Sequence, residues 1–370
     1  MNYFFWKFRR EADRIFQQFL GCIGGFYEPF LQKRYDSQRL TILKCREGAI
    51  IAQEKIAILL LFQPAGISDS TLWTCQHLVA KGYAPLVVSN APVSEEDQAK
   101  LKMTCWRLVE RPNFGYDFGG YRDGIWLLNQ WGITPDNLII LNDSIWFPIF
   151  SDETLIEEME ASPADFVGAL QLDPLKKKYR NAEKGRPFFG SFFLMVKRKT
   201  FLHPTFATYW KNYRITSSKY KTIRRGERTF SHTIFDADIL SAGIYTHQKL
   251  DHYLTSLTAE ELCATLESLV SAHEDLQLQL LDCVAKFQKT LEWRHLALSL
   301  ALHVTAKQNC MTTAPIISVK QFGVPYLKKS LEADNIKSLQ LIEKKVRAGM
   351  LPEMKSCVFM ELKKLIQLRS

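Results

Sequence analysis

The sequence has no apolar run of the roughly 18 residues that a membrane-spanning helix needs. It has no Cys-x-x-Cys pair and no cysteine at zinc-finger spacing from a histidine, so we expect its eight cysteines to be reduced, mostly buried thiols of a cytoplasmic protein. It also lacks a P-loop, a Gly-x-Ser-x-Gly elbow and a His-Glu-x-x-His pair. These absences argue against spanning proteins, zinc proteins, P-loop enzymes and the commonest hydrolases.

The composition is that of a folded protein with a large core. Of 370 residues, 46% are hydrophobic and 24% are charged. The net charge of +9 favours anionic partners such as nucleotide diphosphates, phosphate-linked lipids or an acidic membrane face. Nucleic acid is not an expected partner, because no nucleic-acid recognition motif accompanies the charge.

Residues 1–50 predict an amphipathic N-terminal helical segment. Aromatic side chains such as Phe4 and Trp6 alternate there with bases such as Lys7 and Arg9. The segment has neither a continuous apolar core nor a small-residue cleavage site, so we do not expect a secretory signal. Two interpretations stay open: the helix packs on the following domain, or it makes peripheral contact with an anionic membrane surface.

Residues 51–253 alternate short apolar runs with helical patterns, which predicts an α/β domain with a mostly parallel sheet and helices on both faces. Residues 254–370 are leucine-rich with helical periodicity and predict a C-terminal helical region. Strands are expected at 55–62, 83–89, 104–110, 137–141, 165–170 and 191–197, and helices at 68–81, 121–131, 152–160 and 224–242, the last ended by Gly243.

The most informative stretch is the glycine-rich loop at 112–124, which follows the third predicted strand. Loops at the carboxyl ends of strands hold the ligand in open α/β sheets. Asn113, Asp117 and Arg122 are polar groups that a nucleotide or sugar would contact, and the paired glycines would open a helix whose amides face an anion. The glycine spacing is not that of a dinucleotide fingerprint. A purely structural glycine turn is the alternative.

A second polar group, Asn142-Asp143-Ser144, follows the next predicted strand. A carboxylate there would ligate Mg²⁺ or Mn²⁺, and the ion would neutralise charge on a leaving diphosphate. The group is not a full Asp-x-Asp, and a strand-end turn capped by Asp143 is the alternative. Together the two loops predict a nucleotide-sugar site.

Two further groups of residues are weaker candidates. A basic loop with Lys178, Arg180 and Arg186 would hold a diphosphate or the phosphate of an acceptor lipid, unless it is an ordinary solvated charge run. Glu227 lies in the first turn of the helix predicted at 224–242, where either the helix N-terminus stabilises its charge or it acts as a general base on an acceptor hydroxyl. Asp117 is the second candidate base.

Taken in order, these motifs resemble the rhamnan-synthesis F-type family of bacterial glycosyltransferases, which act in cell-surface polysaccharide assembly. The resemblance covers about residues 55–330. It is carried by the segments that start at 113 (NFGYDFGGYR), 141 (LNDSIWFP), 190 (GSFFLMV), 226 (GE) and 323 (GVPYLK).

The resemblance implies a GT-A-like nucleotide-binding sheet. It also implies transfer of a sugar, often rhamnose, from a nucleoside-diphosphate sugar to a glycan or lipid-linked glycan on the cytoplasmic side of the membrane. Glu227 matches the carboxylate ahead of the last helix of the family's catalytic domain. The residues that match the family's donor-binding motifs are Asn113, Gly115, Asp117, Asn142, Asp143 and Ser144.

Two departures from the family's pattern leave its finer implications open. Tyr116 and Phe118 stand where more polar neighbours are expected, which leaves the identity of the sugar open. The absent Asp-x-Asp leaves dependence on Mg²⁺ or Mn²⁺ open. The alternative from another functional class is a non-catalytic scaffold with the same fold, which recruits polysaccharide enzymes to the inner face of the membrane.

Overall fold

The computed structural model describes residues 27–173, 185–271, 273–306 and 309–368. Most of the aromatic and basic N-terminal segment lies outside these residues, as do Lys178 and Arg180. The described part begins with helix α1 at 27–37, which packs on the following domain. The buried Glu28 carboxylate accepts hydrogen bonds from Thr216 and, at 2.9 Å, from the Arg225 guanidinium. These hydrogen bonds hold residues 27–37 against the domain.

Eleven strands lie in the described residues. They are β1 (Lys44–Glu47), β2 (Lys55–Leu61), β3 (Tyr83–Ser89), β4 (Arg107–Glu110), β5 (Asn137–Asn142), β6 (Ile145–Trp146), β7 (Phe166–Leu172), β8 (Phe188–Phe189), β9 (Phe193–Lys197), β10 (Ser241–Tyr245) and β11 (Leu327–Lys328).

Nine of these strands form the central sheet, in the order β1-β4-β3-β2-β5-β9-β7-β10, with β8 paired to β7. Strands β2, β3, β4, β5, β7 and β10 run in one direction, and β1, β8 and β9 run in the other. Strands β6 and β11 form a separate antiparallel ribbon. The predicted α/β fold with a mostly parallel sheet is confirmed.

Helices connect the strands and fill the C-terminal part. After α1 come α2 (Arg39–Ile42), α3 (Asp69–Ala80), α4 (Glu95–Lys102), α5 (Tyr116–Gln130), α6 (Leu155–Ala161), α7 (Arg198–Phe201), α8 (Pro204–Asn212), α9 (Lys219–Ile223), a π-helical turn (Arg224–Arg228), α10 (Thr229–Phe235), α11 (His247–Ser256), α12 (Ala259–Leu266), α13 (Glu274–Ala285), α14 (Leu291–Thr305), α15 (Cys310–Thr313), α16 (Pro315–Lys320), α17 (Ala333–Arg347) and α18 (Ser356–Gln367).

Both faces of the sheet are buried, as the continuous apolar run of β2 requires. Ile56, Ile58 and Leu60 of β2 join the cluster that contains α5 and α8, whereas alternate residues such as Leu59 join the cluster on the opposite face. This second cluster continues through α12 and α14, for example to Trp293. Hydrophobic packing therefore runs from the sheet into the C-terminal helices, and the division at 50 and 253 stays a prediction.

One predicted helix is wrong. The helix expected over 224–242 ends at Phe235, and Ser241–Tyr245 is strand β10, which runs parallel to β7. Gly243 lies within this strand instead of ending a helix. A Cβ at Gly243 would lie 2.7 Å from the Cβ of Gln171, so the strand pairing leaves no room for a side chain. A tertiary contact has thus overridden a local helical pattern.

Two expectations about the whole chain can be compared with the described residues. Seven cysteines lie there, and all seven are free thiols, four of them buried. No helix in this part of the chain is long and apolar enough to cross a membrane.

Candidate functional site

The sheet changes its direction of winding between β2 and β5, and Asp143 lies at that point. Strands β3 and β4 lie on one side of β2, whereas β5 lies parallel to β2 on the other side. The Asp143 carboxylate Oδ2 accepts hydrogen bonds from the backbone N–H of Phe62, at 2.9 Å, and from Nε2 of Gln63, at 3.0 Å, just after β2. Open α/β sheets bind their ligands at this kind of crevice.

Asn142, the last residue of β5, joins the two polar motifs. Its Nδ2 donates a hydrogen bond of 3.2 Å to Oδ2 of Asp117. Its Oδ1 accepts hydrogen bonds from the backbone N–H of Ser144, at 3.1 Å, and from the Ser144 hydroxyl, at 2.6 Å. The strand-end motif and the glycine-rich motif therefore meet in space.

Asp117 is placed by an unusual backbone turn at the start of α5. Gly115 precedes the helix with φ of 86°, and Tyr116 has φ of 51°, which a non-glycine residue rarely adopts. Hydrogen bonds hold Tyr116 in this conformation: its carbonyl accepts from Nδ2 of Asn90 at 3.2 Å, and its hydroxyl donates to the carbonyl of Ser217 at 3.1 Å. The turn puts Asp117 in the first turn of α5.

The paired glycines of the motif have a packing role. A Cβ at Gly119 would lie 2.1 Å from the carbonyl oxygen of Phe114, and a Cβ at Gly120 would lie 2.1 Å from Cδ1 of Leu60. The structural alternative therefore accounts for these two glycines, because they let α5 approach β2 and the preceding loop. The helix begins at Tyr116, five residues before the predicted start.

Glu227 lies in the π-helical turn between α9 and α10. Its Oε1 accepts hydrogen bonds from the Ser191 hydroxyl, at 2.6 Å, and from the Ser191 backbone N–H, at 3.3 Å. Ser191 precedes β9, the antiparallel neighbour of β5, so it lies at the same edge of the sheet as Asp143. Because Glu227 lies between two helical segments, a free helix N-terminus does not account for its charge. Single π-turns are frequent at functional sites.

The charges of Asp143 and Glu227 act on Asp117. Burial is the largest cause of a raised pKa at Asp117, and these two charges add to it, so that its pKa is about 6 although Lys219 opposes the change. Burial also raises the pKa of Asp143, against the hydrogen bonds from Phe62 and Gln63 that favour its charged form. Buried carboxyl groups with raised pKa values, as at Asp117 and Asp143, are typical of binding and catalytic sites.

Arg122 is not brought to this group. Its guanidinium is buried beside α1, where its two terminal nitrogens donate to the Asp36 carboxylate at 2.7 and 2.8 Å. Its Nε donates to the Trp210 carbonyl at 3.2 Å. The structure thus gives Arg122 a partner in the core, away from the expected donor contact.

The other predicted residues are placed as follows. Asn113 is exposed in the loop before α5, and Gly115 is buried at the left-handed turn. Arg186 lies at the surface, and its guanidinium forms a 2.6 Å ion pair with Asp236 at the end of α10. The structure therefore does not show it in contact with Asp117, Asp143 or Glu227. Ser144 lies with Asn142 at the site.

Sequence reasoning missed a buried polar network beneath the glycine-rich motif. The Arg111 Nε donates to Asp123 Oδ2 at 2.7 Å, and both side chains are fully buried. The Tyr35 hydroxyl donates to the same oxygen at 2.5 Å. Arg111 also donates to the Phe114 carbonyl at 2.6 Å, which anchors the loop ahead of Asp117.

Gln63, Ser191 and Lys329 are the site residues that sequence reasoning missed. The position of Gln63 just after a buried strand was the sequence signal that could have identified it as a site residue. Lys329 directly follows the GVPYLK segment, and its backbone N–H donates to the Ser144 carbonyl at 2.7 Å. No short-range pattern predicts that this residue meets β6.

The donor atoms at this site fit a metal that arrives with a phosphate ligand. Among the residues described, no group of three or more His, Cys, Asp or Glu side chains could by itself hold a metal ion. Mg²⁺ is commonly bound by one or two carboxylates together with substrate phosphates and water. Asp143 offers such a carboxylate, and it would be the residue that holds the ion; its described hydrogen bonds from Phe62 and Gln63 end on Oδ2.

Residues 86–265 match the family model of rhamnan synthesis protein F. This range contains the glycine-rich motif, the strand-end motif and Glu227. The resemblance inferred from the motifs is thereby confirmed. The match covers a little under half of the chain and leaves out the GVPYLK segment, so it is narrower than the expected 55–330.

A protein of Sinorhizobium fredii (strain NBRC 101917 / NGR234), y4gN, is 34% identical over 223 residues, which are 60% of this chain and 56% of y4gN. The chain therefore spans little more than half the length of this curated relative.

Two solved structures were also compared, each 10% identical to the chain with a TM-score of 0.29. The mannosyltransferase Ktr4p from S. cerevisiae matches over 51% of this chain and 68% of its own. The mannosyltransferase PcManGT from Pyrobaculum calidifontis, in complex with GDP-Man and Mn²⁺, matches over 95% and 98%. Both scores are too low to bear on the chemistry of this chain.

Proposed function

We propose that this protein is a glycosyltransferase, which moves a sugar from a nucleoside-diphosphate sugar to an acceptor hydroxyl during assembly of a bacterial cell-surface polysaccharide. The observation that carries the proposal is the meeting of Asp117, Asp143 and Glu227 at the carboxyl edge of the sheet, where its winding reverses. The family match supports the polysaccharide class, and its description makes a nucleoside-diphosphate rhamnose the first donor to test.

In this proposal the strand-end motif binds the donor. Asp143 and Asn142 lie in the crevice, and Ser144 is held beside them by Asn142. When bound through Asp143, Mg²⁺ or Mn²⁺ would supply positive charge to the diphosphate. Asp117 is directed into the same space by Asn142 and faces the sugar or nucleoside.

Glu227 is the proposed general base. The acceptor oxygen would attack the anomeric carbon, the bond from that carbon to the diphosphate oxygen would break, and its electron pair would stay with the diphosphate. The proton of the acceptor hydroxyl would pass to the Glu227 carboxylate. The two hydrogen bonds from Ser191 to one oxygen of Glu227 orient this carboxylate. Asp117, with its pKa of about 6, is the second candidate for this role.

The acceptor in this proposal is a glycan or a lipid-linked glycan at the inner face of the membrane. A net charge of +9 is compatible with a peripheral position against anionic lipids.

A thermal-shift screen tests the proposal. Purified protein is heated with nucleoside-diphosphate sugars, with and without Mn²⁺ or Mg²⁺, because a ligand that binds only the native state raises the melting temperature. We expect one nucleotide class to raise it in the wild type and in Asp282→Ala, an exposed change on α13, but not in Asp143→Ala. Folded wild-type protein that responds to no donor would contradict the transferase proposal and favour the scaffold.

A further inference from the structure

Lys329 reaches the strand-end motif from the C-terminal part of the chain. It directly follows β11, which pairs with β6 through Leu327 and Trp146. The backbone N–H of Lys329 donates to the Ser144 carbonyl at 2.7 Å. This pairing fixes the main chain of Lys329 beside Asn142-Asp143-Ser144, although almost two hundred residues separate them in the sequence.

Lys329 lines the same small cavity as Asn142 and Asp143, and its charge acts to lower the pKa of Asp143. The Lys329 amine donates to the Ser70 hydroxyl at 3.3 Å and lies 3.8 Å from a carboxylate oxygen of Glu361. The side chain is only 19% exposed, so the amine is held at the site instead of moving freely in solvent. Its burial lowers the pKa, whereas the charges of Glu361 and Asp143 favour the protonated form.

The charge of the site requires a cation if the ligand is anionic. Asp117, Asp143 and Glu227 together repel a diphosphate, and this repulsion is strong in a partly buried cleft. Lys219 acts on Asp117 from an exposed position, whereas Lys329 lines the cleft with Asp143. Lysine is a common phosphate ligand because its ammonium group is a compact point charge on a flexible stem.

We infer that Lys329 binds the diphosphate of the nucleotide donor and that the ribbon of β6 and β11 is therefore part of the donor site. The inference rests on the proposed function. When the bond to the sugar breaks, negative charge accumulates on the diphosphate, and a fixed cation stabilises that state more than the intact donor.

Calorimetric titration of the full chain tests the inference with two ligands: a nucleoside diphosphate that binds the wild type, and its parent nucleoside. We expect Lys329→Met to weaken binding of the diphosphate by tenfold or more while leaving nucleoside binding unchanged. Lys329→Arg should retain most of the affinity. Lys328→Met is the matched control, because Lys328 is the exposed neighbour in β11, and it should bind both ligands as the wild type does.

The possible results separate this inference from the proposed function. If wild type and Lys329→Met bind the diphosphate equally well, the inference is wrong and the proposed function stands. If Lys329→Met loses nucleoside and diphosphate affinity equally, Lys329 supports the fold of the site and the inference is also wrong. If the wild type binds no nucleoside diphosphate in the presence of Mg²⁺ or Mn²⁺, the proposed function fails and the inference fails with it.

Discussion

Asn142 at the end of β5 donates a hydrogen bond from its Nδ2 to Oδ2 of Asp117 in the first turn of α5, at 3.2 Å. Two motifs that are separate in the sequence are thereby joined by one amide. An amide donor stabilises the charged form of a carboxylate, yet burial and two neighbouring carboxylates hold the pKa of Asp117 at about 6. At neutral pH Asp117 therefore remains mostly ionised, although its burial disfavours the charge.

Replacement of Asp117 should stabilise the protein near neutral pH. The pKa of Asp117 is about 6 in the native state and about 4 in the unfolded chain. Between these pH values the native state binds more protons than the unfolded chain, so the free energy of unfolding falls as pH rises through this window. Asp117→Asn should remove this fall and gain about 1–2 kcal/mol at pH 7, after allowance for solvent screening. Urea unfolding from pH 4 to 7 measures the difference, which Asp282→Asn should not show. A difference that does not grow with pH would contradict the prediction.

Glu227→Gln should retain donor binding and lose turnover. Loss of a general base typically lowers kcat by 10²–10⁴-fold. Ser191→Ala, which removes the 2.6 Å hydrogen bond to Glu227, should lower kcat by a smaller factor because it affects only the orientation of the base. Donor affinity and release of nucleoside diphosphate with a membrane-derived glycan acceptor would be measured together, with the exposed Glu96→Gln as control. Equal loss of affinity and turnover in Glu227→Gln would assign Glu227 to donor binding.

Asp143→Asn should lose any dependence of donor binding on divalent metal. The substitution keeps the size of the side chain but removes the anionic carboxylate that would hold Mg²⁺ or Mn²⁺. For the wild type, we expect EDTA to weaken nucleoside-diphosphate binding, and titration with and without Mn²⁺ measures the change. A wild type that binds equally well in EDTA would argue for binding without metal, with Lys329 as the cation.

Gly119→Ala should destabilise the fold by about 2 kcal/mol or more. The new Cβ would lie 2.1 Å from the Phe114 carbonyl oxygen, which is a backbone atom and cannot move cheaply. Gly185→Ala is the matched control, because no atom lies within 4 Å of its added Cβ. That control should be neutral or slightly stabilising. The midpoint of urea unfolding compares the two variants, and equal midpoints would show that α5 can shift away from the loop.

Asp123→Asn should destabilise the protein by about 3–5 kcal/mol. The change leaves the fully buried Arg111 guanidinium without its carboxylate partner, and an uncompensated buried charge is costly. Asp282→Asn breaks an exposed ion pair with Lys286 and should cost less than about 0.5 kcal/mol. Unfolding free energies of both variants test the prediction. A small effect at Asp123 would mean that solvent reaches the Arg111 guanidinium in the variant.

Local patterns were enough to predict the main parallel strands of the sheet and to bring the glycine-rich and strand-end motifs to one edge of it. Apolar runs bounded by turns fix strands such as β3 and β5, and the carboxyl-end rule then puts Asp143 at the site. Arg122 was misplaced because sequence spacing does not show which face of α5 meets Asp36 in α1. Strand β10 was missed because its conformation depends on pairing with β7 rather than on its own pattern.

The start of α3 shows the same limit for a local cap. Ser68 stands at the N-cap position of this helix without a capping hydrogen bond from its side chain, whereas the backbone N–H of Ser70 donates to the Glu361 carboxylate at 2.9 Å. The Ser70 hydroxyl donates to the other oxygen of that carboxylate at 2.6 Å. A residue in α18 thus satisfies a donor that helix rules assign to a nearby side chain.

The contact between Ser70 and Glu361 also sets an order of events during synthesis. The two residues are 291 positions apart, so a ribosome that adds about 5–20 residues per second makes Glu361 about 15–60 s after Ser70. Once β5 has been made, the nascent chain contains the segments of β2, β3 and β5 but still lacks α18 and, for most of the remaining time, the ribbon strand that precedes Lys329. The cleft beside Asp143 is therefore completed only after Lys329 and Glu361 have been made, and until then the apolar surface of α3 and β6 that α18 covers has no partner.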